Sequence, residues 1–303
     1  MVGESLDDLL AASPLLREKL RGVDRAAATQ TPILILGEPG TGRSTLARAI
    51  HRAGPRRGGP LIEVDPGVVP ASLFESDLFG YRAGAFTGAE SDMPGRVELA
   101  RSGTLVLDHV EALPVAVQPK LLRLLAEQRY APLGGRDALA DVRFIAVSAP
   151  DLRQRVDGGA FRADLFYRLD VFAFRLPPLR HRLPDLPAIV ERLLGDLSSR
   201  FDRPVPAVSQ GSWQWMMEYS WPGNLRQVRN LLERELILSS SDLLNLPPPP
   251  DAVELQPCSL RDLEREHILR ALAYTRGHQG RAADLLGISR KALWEKRKRY
   301  DIP

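Results

Sequence analysis

Cysteine is nearly absent. The 303 residues hold one, Cys258, so no internal disulfide can form, and the usage fits a reducing cytoplasm. His51, His181, His267 and His278 show no metal-ligand spacing with cysteine or with each other, which leaves them as ordinary polar positions. No apolar run reaches the roughly 18 residues of a membrane span, and no basic-then-apolar leader opens the chain. Nor is there a strong net charge: the total is +3. These absences exclude a disulfide scaffold, a cysteine-rich metal module and a helical membrane protein.

What is present is a soluble globular composition, 44% hydrophobic and 26% charged, on a chain long enough for one large and one small domain. Short apolar runs at Ile33–Leu36, Leu61–Val64, Thr104–Leu107, Arg143–Ser148 and Val171–Leu176 alternate with helical patterns such as Thr45–Arg52 and Val115–Glu127. That alternation predicts an α/β fold with a mostly parallel sheet covered on both faces. From Leu183 to Leu246 the pattern is helical, with Leu186, Ile189, Val190, Leu193 and Leu194 at helix spacing. Pro247 to Pro257 cannot be helix interior; its eleven residues read as an extended linker spanning roughly 35 Å. The last 45 residues are helical again and carry eleven basic against six acidic side chains, a net of +5, while the rest of the chain stands at −2. A basic end on a near-neutral body suits a polyanionic partner.

Two stretches carry the chemistry. Gly37-Glu38-Pro39-Gly40-Thr41-Gly42-Arg43-Ser44-Thr45 follows an apolar strand and opens a helix. In that context glycines free backbone N–H groups to face phosphate oxygens, and the helix N-terminus adds partial positive charge. The second stretch, Gly84-Ala85-Phe86-Thr87-Gly88-Ala89, brackets a Phe and a Thr with small residues and has no helical or strand period. Small neighbours leave the Phe without support, as a surface made to touch a partner would require.

The string GAFTGA, with Glu75-Ser76-Asp77-Leu78-Phe79-Gly80 ahead of it, resembles the contact loop of bacterial enhancer-binding proteins, the AAA+ ATPases that activate sigma-54 RNA polymerase. The resemblance implies an AAA+ α/β core over 5–177, a helical lid over 178–246, a linker over 247–258 and a Fis-type helix-turn-helix over 259–303. It implies ATP as ligand, with residues 37–45 as the P-loop and Ser44 and Asp108 as Mg²⁺ ligands. Arg226 in Trp221-Pro222-Gly223-Asn224-Leu225-Arg226 would reach the nucleotide from the lid, with Trp221 and Pro222 as packing. Arg162 and Arg168, in FRADLFYRL, would be arginine fingers for the neighbouring subunit of a ring, homo- or hetero-oligomeric and typically of six. Ser289, Arg290 and Lys291 would face DNA base edges, and Lys296 and Arg297 mainly phosphates. Ala282 and Ala283 are small where two helices would cross, Gly287 supplies the turn and Ser289 the N-cap.

Three positions depart from the family pattern. Arg43 replaces the P-loop lysine, His109 replaces the glutamate that polarises water, and Asp65 replaces an asparagine that couples to that glutamate. At the sensor I region the usual Thr-Asn becomes Ser148-Ala149. Binding, finger and contact parts are complete while catalytic parts, Asp108 apart, are changed. The expectation is a sigma-54-dependent activator that binds enhancer DNA; the alternative is a hydrolysis-impaired partner subunit or pseudo-ATPase regulator. A clamp loader or protease unfoldase is a further alternative, against which the GAFTGA loop and the terminal helix-turn-helix speak strongly. With the core beginning near residue 6, control is expected from a regulatory protein, a partner subunit or expression level.

Overall fold

The computed structural model describes residues 5–11, 13–239, 241–249, 264–265, 267–269, 271–272, 275, 278–300 and 302. They fall into two compact units that divide between Pro247 and Pro248. The proline-rich segment expected as a linker lies mostly outside the described residues, as do parts of the expected first helix of the basic end.

Five parallel strands form the centre of the first unit: β1 (Ile33–Gly37), β2 (Leu61–Val64), β3 (Thr104–Leu107), β4 (Arg143–Ser148) and β5 (Phe172–Leu176), in the spatial order β2-β3-β4-β1-β5. In register, Ile33 stands beside Ile145 on one side and Phe172 on the other, and Thr104 pairs with both Leu61 and Arg143. The period of two splits each strand between two cores. Leu34, Leu36, Leu105, Leu107 and Phe144 pack on one face with Phe74, Phe79, Leu121 and Leu165. Ile33, Ile35, Val106, Ile145 and Val147 pack on the other with Val23, Leu46 and Ile50. The three central strands β1, β3 and β4 are buried on both faces and read as unbroken runs, whereas the edge strands β2 and β5 expose Glu63 and Arg175.

Helix α1 (Arg43–Ala53) opens directly after Gly40 and Gly42, whose φ values of 80° and 102° lie in the left-handed region that glycine tolerates. The lid contains α2 (Leu186–Arg200), α3 (Gln210–Glu218) and α4 (Asn224–Leu238). Leu186, Val190, Leu194 and Leu197 form the buried stripe of α2. Trp221 is fully buried against Trp215 and Tyr219, as packing requires. Pro222, expected to pack as well, is exposed.

In the second unit, α5 (Gln279–Leu285) and α6 (Arg290–Arg299) pack through fully buried Ala282 and Ala283 beside Ile268, Leu272 and Leu293. Gly287 takes φ 65° at the turn. The Ser289 hydroxyl accepts from the Ala292 N–H at 3.1 Å and starts α6. Among the described residues, no helix is long and apolar enough to cross a membrane.

Candidate nucleotide site, contact loop and DNA-binding helix

All the polar residues of the first site sit at the carboxyl edge of the sheet. Residues 37–42 leave β1, Asp65 follows β2, Asp108 and His109 follow β3, and Ser148 ends β4. This edge is where parallel α/β sheets leave a crevice for ligands. Ser44, at the start of α1, donates its hydroxyl hydrogen to Asp108 Oδ2 at 2.9 Å. The other Asp108 oxygen accepts from the His109 N–H at 3.0 Å. A hydroxyl and a carboxylate side by side form an oxygen donor set that suits a hard cation such as Mg²⁺. Among the described residues, no larger cluster of His, Cys, Asp and Glu stands ready to hold a metal.

Arg43 is buried at 6% exposure; its Nη1 donates to the Gly37 carbonyl at 2.9 Å, and its Nη2 lies 3.3 Å from His109 Nε2. His109 Nδ1 in turn lies 2.9 Å from Asp65 Oδ2. His109 holds φ 52°, ψ 47°, a left-handed conformation unusual for a side-chain-bearing residue and common at functional sites. The Ser148 hydroxyl is fully buried with no hydrogen-bond partner among the described residues.

The lid closes over the phosphate loop through backbone and side chain together. The Leu225 N–H donates to the Gly40 carbonyl at 2.9 Å. Asn224 Nδ2 donates to the Pro39 carbonyl at 3.1 Å, 185 residues away in sequence, while its Oδ1 accepts from the Leu179 N–H at 2.7 Å. Arg180 grips Glu38 with two hydrogen bonds, and this pairing holds the Glu38 carboxyl below its ordinary range. Arg226 stands exposed, with its Cβ beside Gly40. Thr41 is buried and turns its hydroxyl back to the Glu38 carbonyl. Sequence reasoning gave Asn224 and Arg180 no role, because nothing in their local spacing shows what they meet.

Arg162 and Arg168 do not reach this crevice. Arg162 forms a pair with Asp164 at 2.7 Å and is exposed, and Arg168 donates to the Leu125 carbonyl at 3.2 Å.

The GAFTGA segment is a closed loop. The Gly84 N–H donates to the Ala89 carbonyl at 2.8 Å, and Asp92 holds the Ala83 N–H at 2.8 Å. Gly84 and Gly88 take φ of 80° and 98°. Phe86 is 46% exposed, yet it is not unsupported: its ring meets Tyr81 edge-on at 4.9 Å.

On α6, Arg290 and Lys291 are exposed near the first turn. Lys296 is taken by Glu264, which also accepts from the Tyr300 hydroxyl, and the Arg297 Nε is buried with no hydrogen-bond partner among the described residues. Trp294, which sequence reasoning passed over, is 57% exposed, with Lys298 over its ring at 5.5 Å.

The sequence matches the sigma-54 interaction domain over residues 9–175, the AAA+ ATPase lid domain over 180–255 and the Fis-family bacterial regulatory protein model over 259–300. The chain belongs to the sigma-54-dependent transcriptional activator family. Within that family it is 42% identical over 242 residues to the DNA-binding transcriptional activator HyfR of Escherichia coli K12, covering 80% of this chain and 36% of HyfR. It is 37% identical over 339 residues to the transcriptional regulator NtrC of Azospirillum brasilense, covering 97% of this chain and 69% of NtrC. The chain thus spans about a third of the length of HyfR and about two thirds of that of NtrC. Among solved structures, NtrX from Brucella abortus in complex with ATP superposes with a TM-score of 0.73 at 30% identity, over all of this chain and 70% of that one. Family membership accounts for the three regions together: an activator core, its lid and a DNA-binding end.

Proposed function

We propose that this protein binds ATP with Mg²⁺ at the carboxyl edge of its sheet and uses it to act on sigma-54 RNA polymerase from enhancer-bound DNA. The observation that carries this reading is the approach of Ser44 to Asp108 at 2.9 Å at the mouth of the phosphate loop. The backbone of 37–42 and the N-terminus of α1 would cradle the phosphates, and Arg43 would add positive charge. Ser44 and Asp108 would hold Mg²⁺, which would offset negative charge on the phosphates. Arg226, with Asn224 and Arg180, would tie the lid angle to what the loop holds. Arg162 and Arg168 would serve the site of the neighbouring subunit in a ring. The exposed Phe86 and Thr87 would press on sigma-54, and Arg290 and Lys291 would read the enhancer, with Lys296 and Arg297 supporting α6.

One observation favours a second reading, a hydrolysis-impaired subunit that binds nucleotide and lends its arginines to a competent partner. The position next to Asp108 offers an imidazole already engaged by Arg43 and Asp65, and no free carboxylate.

Sigma-54 transcription from a supercoiled template carrying the enhancer, with phosphate release followed in parallel, separates the two. Activation with hydrolysis by the pure protein is the expected result for a self-sufficient activator. Nucleotide and DNA binding without either activity would establish the second reading, and absence of nucleotide binding would defeat both.

A further inference from the structure

Three of the positions that depart from the family pattern, Arg43, Asp65 and His109, lie far apart in sequence, and the fold brings them into one hydrogen-bonded line. Arg43 is a buried cation whose hydrogen bonds, among the described residues, go to a carbonyl and a ring nitrogen and not to a carboxylate. A guanidinium can only donate. His109 Nε2 must therefore present its lone pair to Arg43, which leaves the ring hydrogen on Nδ1. That hydrogen points at Asp65 Oδ2, 2.9 Å away, and a carboxylate can accept it. The opposite tautomer would set two N–H groups against each other at one end and two acceptors at the other.

We propose that His109 is a positioning residue for Arg43. Aimed by Asp65, its Nε2 lone pair holds the guanidinium across the phosphate loop, so residues 43, 65 and 109 work as one unit and not as three separate losses. The inference rests on the reading of 37–45 as a nucleotide loop. The residue types fit together and resist single exchange. A lysine at 43 has one nitrogen and cannot keep both the Gly37 and His109 bonds in a planar fork. A glutamate at 109 would stand beside the Asp65 carboxylate, and like charges at that distance repel. A glutamine at 109 could accept from Arg43 and donate to Asp65, reproducing the bridge without the ring.

Two measurements on the full chain test this. The first is imidazole ¹⁵N NMR at about pH 8, where a free histidine is neutral, with the His109 signal assigned by its loss in H109Q. The wild type should show the Nδ1–H tautomer; an Nε2–H tautomer in the wild type overturns the proposal. The second is the affinity for a fluorescent ADP analogue, with the melting midpoint of each variant confirming that it folds. H109A should weaken binding about tenfold, and H109Q should restore it to within about threefold. In an R43K background H109A should add less than about threefold, because the group it positions has been replaced. H109Q as weak as H109A, or H109A and R43K effects that multiply independently, would overturn it. If the wild type binds no nucleotide, the nucleotide reading fails while the tautomer still decides the proposal.

Discussion

At the scale of single residues, His51 shows how burial changes what a side chain does. It was expected to be an ordinary polar position, but it lies on the inner face of α1 beside Ala47 and Ile50, only 5% exposed. Its Nδ1 is 2.9 Å from Thr104 Oγ1 on β3. Burial, and then the nearby charges of Arg143 and Arg52, push its pKa below the ordinary value. The folded state therefore takes up a proton less readily than the unfolded chain. Stability from this group is complete above the unfolded pKa of about 6.5 and is lost as pH falls below it. Urea unfolding between about pH 7.5 and pH 5.5 should show the wild type losing more stability than H51Q. Equal slopes for the two would remove His51 as the cause. Residues 45–52 read as a helical pattern, but a polar residue within it had no visible partner until β3 was placed beside it. Phe86 is a similar case: Tyr81, which steadies it, precedes the loop and carries no motif.

At the scale of elements, long and regular features were legible and short ones were not. Each strand of the main sheet lies within a residue of the apolar run that predicted it; in the three central strands, burial on both faces leaves an uninterrupted signal. The antiparallel pair Gly80–Tyr81 with Met93–Pro94, which anchors the contact loop, has two residues per strand and no period to detect. The contact between the phosphate loop and α4 was invisible for another reason, since it joins two backbones. A Cβ on Gly40 would meet the Gly223 carbonyl oxygen at 2.4 Å, and Gly40 also holds φ 80°. G40A should cost about 1–2 kcal/mol in backbone strain and push the lid away from the loop. The expected outcome is at least a tenfold loss of nucleotide affinity, about 1.4 kcal/mol, with the chain still folded by circular dichroism. Unchanged affinity would mean that the lid contact is incidental.

At the scale of the whole molecule, the two units should fail separately. R290A/K291A removes two exposed cations from the start of α6 and should weaken enhancer binding in a mobility-shift assay while leaving phosphate release intact. Unchanged affinity would count against placing the first turn of α6 on the bases. Assembly gives a second prediction. Arg162 and Arg168 are bound to their own subunit here, Arg162 by an exposed pair of the kind worth little in stability. If they act on a neighbour, R162A should lower ATP turnover by about 10³-fold or more, and S44A should be inactive through its own site. Mixing the two inactive proteins should recover part of the activity, since some interfaces then pair an intact arginine with an intact Ser44. No recovery at any ratio would confine each residue to its own subunit.

The sequence alone determined the family, the order of core, lid and DNA-binding end, the strands of the sheet, and which loop would meet phosphates. Those features are local: an apolar run, a glycine spacing and a capping serine each follow from neighbours along the chain. The tertiary structure decided which residues act together. Arg43, Asp65 and His109 were three separate departures until the parallel sheet set the carboxyl ends of β1, β2 and β3 along one edge. Asn224 likewise became a link to Pro39 only when the lid folded back onto the loop. Hydrogen bonds are made through space at about 3 Å, and one-dimensional spacing does not encode a separation that the fold alone brings within that reach.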